Sequence, residues 1–194
     1  MSFGMIIRAI VAPFFKILHP MKIEGLENYA MDKPFVLCAN HQSNLDVFSL
    51  YIASPRQLHF MAKEELFRFK PLGWLLKKLG AFPVRRNQTD ITAIKNALKV
   101  LKDGNILGIF PQGSRMESIE ADDAKAGAVL IAGKARVPIL PAVIITNYKL
   151  FHPVKVKFGK MMGIAPNGER LSNDEIKEKA VSVMEQIRVM WEEG

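Results

Sequence analysis

The residues best suited to proton transfer lie together at positions 40–46, whose sequence is Asn-His-Gln-Ser-Asn-Leu-Asp. A histidine can act as a general base, and a nearby carboxylate fixes its tautomer and stabilises the imidazolium that forms when it takes up a proton. If the whole stretch were helical, His41 and Asp46 would point about 140° apart around the helix axis, and the two side chains could not meet. We therefore predict that His41 lies in a turn and that Asp46 lies in the first turn of the helix that follows.

Asp46 has a second interpretation, because Ser43 and Asp46 have the spacing of a capping box. In that motif the first residue caps a helix, and the acidic residue three positions later accepts a backbone N–H near the positive end of the helix. Ser43 or Asn44 is a suitable N-cap for a helix that we predict from about residue 44 to residue 54. The residues alone therefore leave a catalytic and a structural role open for Asp46.

Two further stretches place arginine after an apolar run. They are Gly-Ala-Phe-Pro-Val-Arg-Arg at residues 80–86 and Ile-Phe-Pro-Gln-Gly-Ser-Arg at residues 109–115. A guanidinium group can bind two phosphate oxygens at once, and adjacent arginines make a stronger fork. Gly113 lets the backbone approach a ligand closely, and Arg115 is placed to reach a phosphate. Both stretches predict anion binding, although neither identifies the anion.

The composition favours one folded, basic domain. The chain has 194 residues, of which 49% are hydrophobic and 24% are charged, and this composition excludes a largely disordered protein. Its formal net charge of +8 attracts phosphates on nucleic acids, lipid headgroups or small molecules. The single cysteine, Cys38, excludes a disulfide within the chain and a thiolate metal site. The four histidines are scattered without ligand spacing, so we also predict no metal: His19, His41, His59 and His152.

Strand and helix patterns alternate along the chain. Continuous apolar runs, which are typical of buried strands in a parallel sheet, occur at residues 34–39, 105–110 and 137–145. Helical patterns occur at about residues 90–102, 124–135 and 173–192. We predict a single α/β domain with a mainly parallel mixed sheet flanked by helices. Ligands of such sheets bind at loops that leave the carboxyl ends of strands, and the His41 and Arg115 turns both leave such strands.

Residues 3–18 form an apolar segment interrupted by a proline and two basic residues. A helix that spans a bilayer needs about 20 mainly apolar residues, and a signal peptide needs a small-residue cleavage site, so neither pattern fits. The helical spacing of the apolar residues leaves two interpretations, a helix packed on the domain or a helix lying on the membrane with Arg8 and Lys16 near lipid phosphates. We expect the second, with residues 1–20 as a membrane-interface segment and residues 21–194 as the main domain.

Four motifs in order along the chain resemble the signature motifs of the glycerolipid acyltransferases, which include the 1-acylglycerol-3-phosphate acyltransferases. The matching stretches are residues 40–46 (Asn-His-x-x-x-x-Asp), residues 80–86, residues 110–115 and residues 137–142. The second match places the family's arginine at Arg86. The third, Phe-Pro-Gln-Gly-Ser-Arg, differs from the family's Phe-Pro-Glu-Gly-Thr-Arg at Gln112 and Ser114. The fourth, Val-Pro-Ile-Leu-Pro-Ala, is close to Val-Pro-Ile-x-Pro-Val.

The resemblance implies a reaction and its partners. A fatty acyl group would move from a thioester on acyl carrier protein or coenzyme A to the free hydroxyl of a lysophosphatidic acid, which gives phosphatidic acid for phospholipid synthesis. His41 would take the hydroxyl proton while Asp46 holds the imidazole. Phosphate-binding residues carried over from the motifs are Arg86, Gly113, Ser114 and Arg115. The resemblance implies no cofactor beyond the acyl donor, and a peripheral location on the cytoplasmic face of an anionic membrane.

Several alternatives stay open at this point. An amide at Gln112 cannot take the acidic role available to the family's glutamate, so another lysophospholipid or glycerol 3-phosphate is an alternative acceptor. The residues show no signature of an acylated nucleophile, which favours direct transfer between the two substrates. A different class would be a basic module that binds anionic membranes or nucleic acid without catalysis. We expect no nucleic acid as a partner, since no nucleic-acid motif or cluster of base-stacking aromatics is present.

Overall fold

The computed structural model describes residues 3–85, 90–115, 118–121, 124–165 and 171–194. Within these ranges the helices are α1 (Phe3–Leu18), α2 (Asp46–Ala53), α3 (Lys70–Lys78), α4 (Ile91–Lys102), α5 (Gly127–Ala135) and α6 (Asn173–Glu192). The strands are β1 (Met21–Glu24), β2 (Val36–Ala39), β3 (Leu58–Lys63), β4 (Ala81–Val84), β5 (Ile106–Ile109), β6 (Ile139–Ile145) and β7 (Val154–Phe158). Short 3₁₀ helices occupy Leu26–Asn28 and Glu64–Phe67. Strands and helices therefore alternate as the apolar pattern predicted.

The strands form one sheet in the order β1-β7-β6-β2-β5-β3-β4. Neighbouring strands are parallel, except that β6 and β7 are antiparallel. Parallel neighbours need crossover connections, which the helices between successive strands supply. The predicted single α/β domain with a mainly parallel mixed sheet flanked by helices is confirmed.

Strand β2 lies in the middle of the sheet and is buried on both faces. Its alternate residues point to opposite faces, and all four are buried. Val36 and Cys38 belong to the core between the sheet and helices α4, α5 and α6. Leu37 and Ala39 belong to the core on the other face, under α2. Burial raises the pKa of the Cys38 thiol, so this residue serves as a small apolar core residue.

Three connections meet at one edge of the sheet, by which we mean the edge formed by the carboxyl ends of β2, β5 and β6. They are the turn after β2, the loop after β5 and the loop of residues 146–153 between β6 and β7. Since β2 is parallel to both β5 and β6, the carboxyl ends of these strands lie side by side. Strand β7 returns antiparallel to β6, so its connection stays at the same edge. The His41 and Arg115 turns therefore share one edge, as predicted.

The N-terminal segment is the helix α1, as its apolar spacing predicted. The guanidinium group of Arg8 donates a hydrogen bond to the backbone carbonyl of Ser54 at the end of α2, instead of projecting toward lipid phosphates. Much of the outer side of α1 is apolar and exposed: Ile6, Ile10, Val11, Phe14, Ile17 and Leu18. None of the helices in the described part of the chain is long and apolar enough to cross a membrane.

Candidate active site

His41 lies in the turn after β2, and Asp46 is the first residue of α2, which is the arrangement that their spacing predicted. Nδ1 of His41 is 2.9 Å from Oδ2 of Asp46. Because a carboxylate only accepts hydrogen bonds, Nδ1 carries the hydrogen and Nε2 is left as the basic nitrogen. His41 is 7% exposed and Asp46 is 1% exposed. The pair is therefore a shielded imidazole–carboxylate couple of the kind that general-base chemistry uses.

Four donors fix the Asp46 carboxylate. Besides Nδ1 of His41, Oδ2 accepts the backbone N–H groups of Gln42 at 2.6 Å and Ser43 at 2.7 Å. Oδ1 accepts the hydroxyl of Tyr148 at 2.7 Å. Asp46 therefore holds the turn through two backbone N–H groups and also holds the imidazole of His41, so a structural role does not exclude a catalytic one. A carboxylate with this many partners has one position, and it orients the imidazole accordingly.

The predicted cap of α2 is wrong. The N-cap position belongs to Leu45, and it makes no side-chain cap. Ser43 Oγ accepts the N–H of Leu45 at 3.2 Å, inside the turn. The reason is that the Asp46 carboxylate folds back over the turn and takes its N–H groups, so the helix starts two residues later than the pattern predicted.

Tyr148 is a site residue that the sequence analysis did not predict. Its hydroxyl lies 2.9 Å from Oγ of Ser49 as well as 2.7 Å from Oδ1 of Asp46, and its φ of 51° is in the left-handed region. Burial, and then the charge of Asp46, raise the pKa of Tyr148 well above its ordinary value, so the phenol stays protonated and donates. The sequence signal is its position three residues after β6. That position became informative only when β6 proved to be the neighbour of β2.

Asn40 attaches the histidine turn to the sheet. Its side-chain Nδ2 donates to the carbonyl of Ile144 at 2.9 Å, and its Oδ1 accepts the N–H of Ile144 at 2.8 Å. The side-chain amide therefore replaces a strand residue and continues the pairing of β2 with β6 beyond Ala39. These two hydrogen bonds prevent Asn40, the residue before His41, from rotating away from the sheet.

Gln112 supports His41 from the other side. Its Oε1 accepts the backbone N–H of His41 at 3.1 Å, and its Nε2 donates to the carbonyl of Ser118 at 3.0 Å. The side chain of Gln112 is nearly fully buried. The ring of His41 also stacks on Phe110, with 4.1 Å between the centroids. The residue that departs from the family's glutamate thus uses both ends of its amide, and a carboxylate would face the Ser118 carbonyl with an oxygen.

A cleft of about 310 Å³ opens beside His41. Apolar side chains from β3, β4, β5 and α5 form one part of its wall: Met61, Val84, Ile109 and Ile131. Arg85 and Lys125 add two cations, and Lys125 was not among the predicted site residues. Gly108 lines the cleft, and a Cβ atom at this position would collide with the Phe60 ring, so the close packing of that ring requires glycine here. An apolar wall beside two cations suits a ligand with an acyl chain and a phosphate.

Of the residues predicted to bind phosphate, only some line the cleft. Gly113 lines the cleft and has a φ of 71°. Ser114 and Arg115 are exposed on the same turn and are not among the lining residues. Arg86 lies outside the described residues, whereas its neighbour Arg85 lines the cleft and pairs with Glu64 at 3.2 Å. Within the described ranges no three His, Cys, Asp or Glu side chains are grouped as a metal site.

Comparisons with known proteins give the family. A family model described as Acyltransferase matches residues 20–145. The 1-acyl-sn-glycerol-3-phosphate acyltransferase of Bacillus subtilis is 42% identical over 123 residues, which cover 63% of this chain and 61% of that protein. The enzyme of the same name from Streptococcus pneumoniae is 40% identical over 112 residues, which cover 57% and 41% of the two chains. The matched segments thus span less than two thirds of these curated relatives.

A solved structure extends the comparison to nearly the whole chain. The crystal structure of the 1-acyl-sn-glycerophosphate (LPA) acyltransferase PlsC from Thermotoga maritima has a TM-score of 0.76 and 26% sequence identity. The likeness covers 98% of this chain and 78% of the Thermotoga chain. With a family model over residues 20–145, which is more than half of its length, the chain belongs to the acyltransferase family.

Proposed function

We propose that the protein is a 1-acylglycerol-3-phosphate O-acyltransferase, which moves a fatty acyl group from a thioester to the free hydroxyl of its acceptor and makes phosphatidic acid. The observation that carries the proposal is the buried His41–Asp46 couple, with 2.9 Å between Nδ1 and Oδ2, at a cleft that has an apolar wall and two cations. The names of the relatives from Bacillus subtilis and Streptococcus pneumoniae support the same acceptor.

In the proposed reaction Nε2 of His41 takes the proton from the acceptor hydroxyl as its oxygen attacks the thioester carbonyl. Asp46 stabilises the imidazolium that results. The tetrahedral intermediate then collapses, the carbon–sulfur bond breaks, and the imidazolium returns its proton to the leaving thiolate. We infer direct transfer between the two substrates; in support, the thiol of Cys38 is buried in the core and burial raises its pKa, so this thiol supplies no nucleophile. The acyl donor is a thioester of acyl carrier protein or coenzyme A.

The loop after β5 supplies the phosphate site of the proposed enzyme. Gly113 brings backbone to the cleft, and Ser114 and Arg115 follow it on the same turn. A guanidinium group on a flexible, exposed side chain can fold over a phosphate once the acceptor is bound. Arg86 joins the site in this proposal, next to Arg85 on the cleft wall. Lys125 supplies a further cation, and its side chain lies close to Gly113.

The N-terminal segment of residues 1–20 holds the proposed enzyme on the membrane, and residues 21–194 carry the reaction. The exposed face of α1 supports this division, since Phe14 and Ile17 are 68% and 65% exposed and Lys16 lies between them. An amphipathic helix with this composition binds in the plane of an anionic bilayer. Peripheral attachment on the cytoplasmic face would place the cleft next to its lipid substrate.

A transfer assay with the purified full chain tests the proposal. A radiolabelled acyl group on acyl carrier protein or on coenzyme A is offered together with lysophosphatidic acid, lysophosphatidylcholine, lysophosphatidylglycerol or glycerol 3-phosphate. We expect labelled phosphatidic acid from lysophosphatidic acid, and the faster donor identifies the carrier. Product from a different acceptor alone would replace the acceptor, and the absence of any product with all four would overturn the enzymatic function.

A further inference from the structure

The tip of the β6–β7 loop exposes two large apolar side chains. Leu150 is 62% exposed and Phe151 is 68% exposed. The N–H of Phe151 donates to the carbonyl of Leu18 at 2.7 Å, so the tip lies against the last residue of α1. Phe151 also has a φ of 62°, a conformation that is costly for a bulky residue. Packing within the chain does not explain an aromatic residue held outward in this way.

The loop tip continues the apolar face of α1. Five exposed apolar side chains form what we call the α1–loop band: Phe14, Ile17, Leu18, Leu150 and Phe151. Contiguous apolar surface on a folded protein marks a site of contact with a partner or with a membrane. Lys16 adjoins Ile17 in the sequence and Lys149 adjoins Leu150, so the chain next to the band is basic and a partner with negative charge is favoured.

A second cleft of about 310 Å³ lies at the base of the same loop. Its polar lining includes Lys22, Asn147, His152 and Lys155. Lys155 pairs with Glu24 at 3.3 Å. Lys22 takes part in no ion pair with the described side chains. The chemistry of this lining suits a phosphate group, and the apolar tip is only a few residues away.

We propose that the β6–β7 loop is a second membrane contact, in which Leu150 and Phe151 enter the bilayer surface beside α1 while the cleft at the loop's base binds the phosphate of an anionic phospholipid headgroup. Apolar side chains next to lysines are the combination that binds the surface of an anionic bilayer. The loop also contains Tyr148, whose hydroxyl contacts Asp46, so this contact adjoins the reacting groups. The lipid partner rests on the proposed function, in which the acceptor is a membrane lipid.

Sedimentation of the full chain with vesicles tests the apolar part of this contact. The vesicles are made of phosphatidylcholine with or without phosphatidylglycerol. Phe151→Asn removes the ring, and asparagine tolerates a positive φ, so the fold is kept. We expect roughly tenfold weaker binding to vesicles, because an apolar side chain no longer enters the lipid. The matched control is Met31→Asn, which changes a residue that is 61% exposed at the opposite edge of the sheet and leaves binding at the parental value.

A charge-matched pair of variants tests the headgroup cleft. Lys22→Gln/Lys155→Gln removes two cations from the cleft, and Lys102→Gln/Lys134→Gln removes two exposed cations from the opposite edge of the sheet. We expect the first variant to lose roughly fivefold in vesicle binding per lysine when phosphatidylglycerol is present, and little without it. The second variant should lose clearly less on the same vesicles.

The outcomes separate this contact from the enzymatic function, because vesicle binding requires no acyl transfer. If Phe151→Asn binds vesicles as well as Met31→Asn does, the loop is not a membrane contact, and a protein partner becomes the alternative occupant. If the two lysine pairs weaken binding equally, the headgroup site is overturned. The parental chain could also transfer no acyl group while only the loop variants lose vesicle binding. That result would refute the proposed function and keep the membrane contact.

Discussion

The two sides of the candidate active site are built differently. On the histidine side, which we call the rigid side, His41 and Asp46 are 7% and 1% exposed. Both oxygens of the Asp46 carboxylate accept hydrogen bonds. On the arginine side, which we call the flexible side, Arg115 is exposed on a turn. Proton transfer depends on the angle and length of one hydrogen bond, whereas a flexible cation can follow a phosphate over a wider range of positions. The buried polar contacts therefore lie where the proposed chemistry tolerates the least movement.

The largest effect is expected where the rigid side loses its base. His41→Asn removes the imidazole, and its side-chain amide can still donate to Asp46 in place of Nδ1. We expect the turnover number kcat to fall by about 10² to 10⁴, which is the usual contribution of a general base. Thermal unfolding should stay within a few degrees of the parent. Retention of more than about a tenth of the parental kcat would exclude His41 as the base.

The flexible side should respond through binding. Arg115→Ala is expected to raise the Michaelis constant for lysophosphatidic acid about ten- to hundredfold and to leave that of the acyl donor unchanged, which is the pattern of lost contact with one substrate. Arg115→Lys keeps the charge without the planar fork and should have a smaller effect. Arg136→Ala, an exposed arginine at the opposite edge of the sheet, is the control. Parental acceptor kinetics in Arg115→Ala would leave Arg86 as the main candidate for phosphate binding.

Gln112→Glu restores the family's residue and tests how strictly the rigid side is constrained. The new carboxylate would be buried, and one of its oxygens would face the carbonyl of Ser118, which now accepts a hydrogen bond from Nε2. We expect the free energy of unfolding to fall by about 1 to 3 kcal/mol in denaturant titrations. Gln186→Glu introduces the same charge on the exposed surface of α6 and should change it by less than about 0.5 kcal/mol. Equal stability of the two variants would contradict the assigned contact with Ser118.

The smallest effect on turnover is expected from the loss of the Tyr148 hydroxyl, which contacts Asp46. Tyr148→Phe removes the hydroxyl that donates to Asp46, and kcat should fall about five- to tenfold without a change in either Michaelis constant. Tyr29→Phe removes a buried hydroxyl that contacts Ser54 Oγ at the C-terminal end of α2. Both variants should lose some stability, but only the first should lose turnover. If both retain the parental kcat, Tyr148 serves the fold and not the orientation of Asp46.

The sequence predicted much of this architecture, because the signals involved are local. The run of residues 34–39 is continuous and apolar, since β2 is buried on both faces of the sheet. Ser172 and Glu175 have the spacing of a capping box at the start of the helix predicted over residues 173–192, and both of its hydrogen bonds are present. The placement of His41 in a turn before Asp46 followed from helix geometry alone. These features depend on neighbours within a few residues, which a sequence displays directly.

The features that were missed depend on the order of strands. Tyr148 and Asp46 are 102 residues apart, and Asn40 and Ile144 are 104 residues apart. They meet only because β6 pairs with β2, and no local pattern indicates which strands become neighbours. Lys125 is a separate case, because it reaches the cleft through the folding of the connection between β5 and α5, where its N–H donates to the carbonyl of Pro111. The phosphate-binding role of Arg86 stays a prediction, because that residue lies outside the described part of the chain.

The burial of Cys38 protects the proposed enzyme from the oxidised form of its carrier. Whichever carrier supplies the acyl group, the proposed reaction releases a free thiol within a short distance of β2. An exposed cysteine there could form a mixed disulfide with oxidised carrier and block the cleft. Cys38 is three residues from His41, yet it is fully buried, and its raised pKa keeps it as the unreactive thiol. Turnover should therefore persist in the presence of oxidised coenzyme A, without a reductant to regenerate the protein.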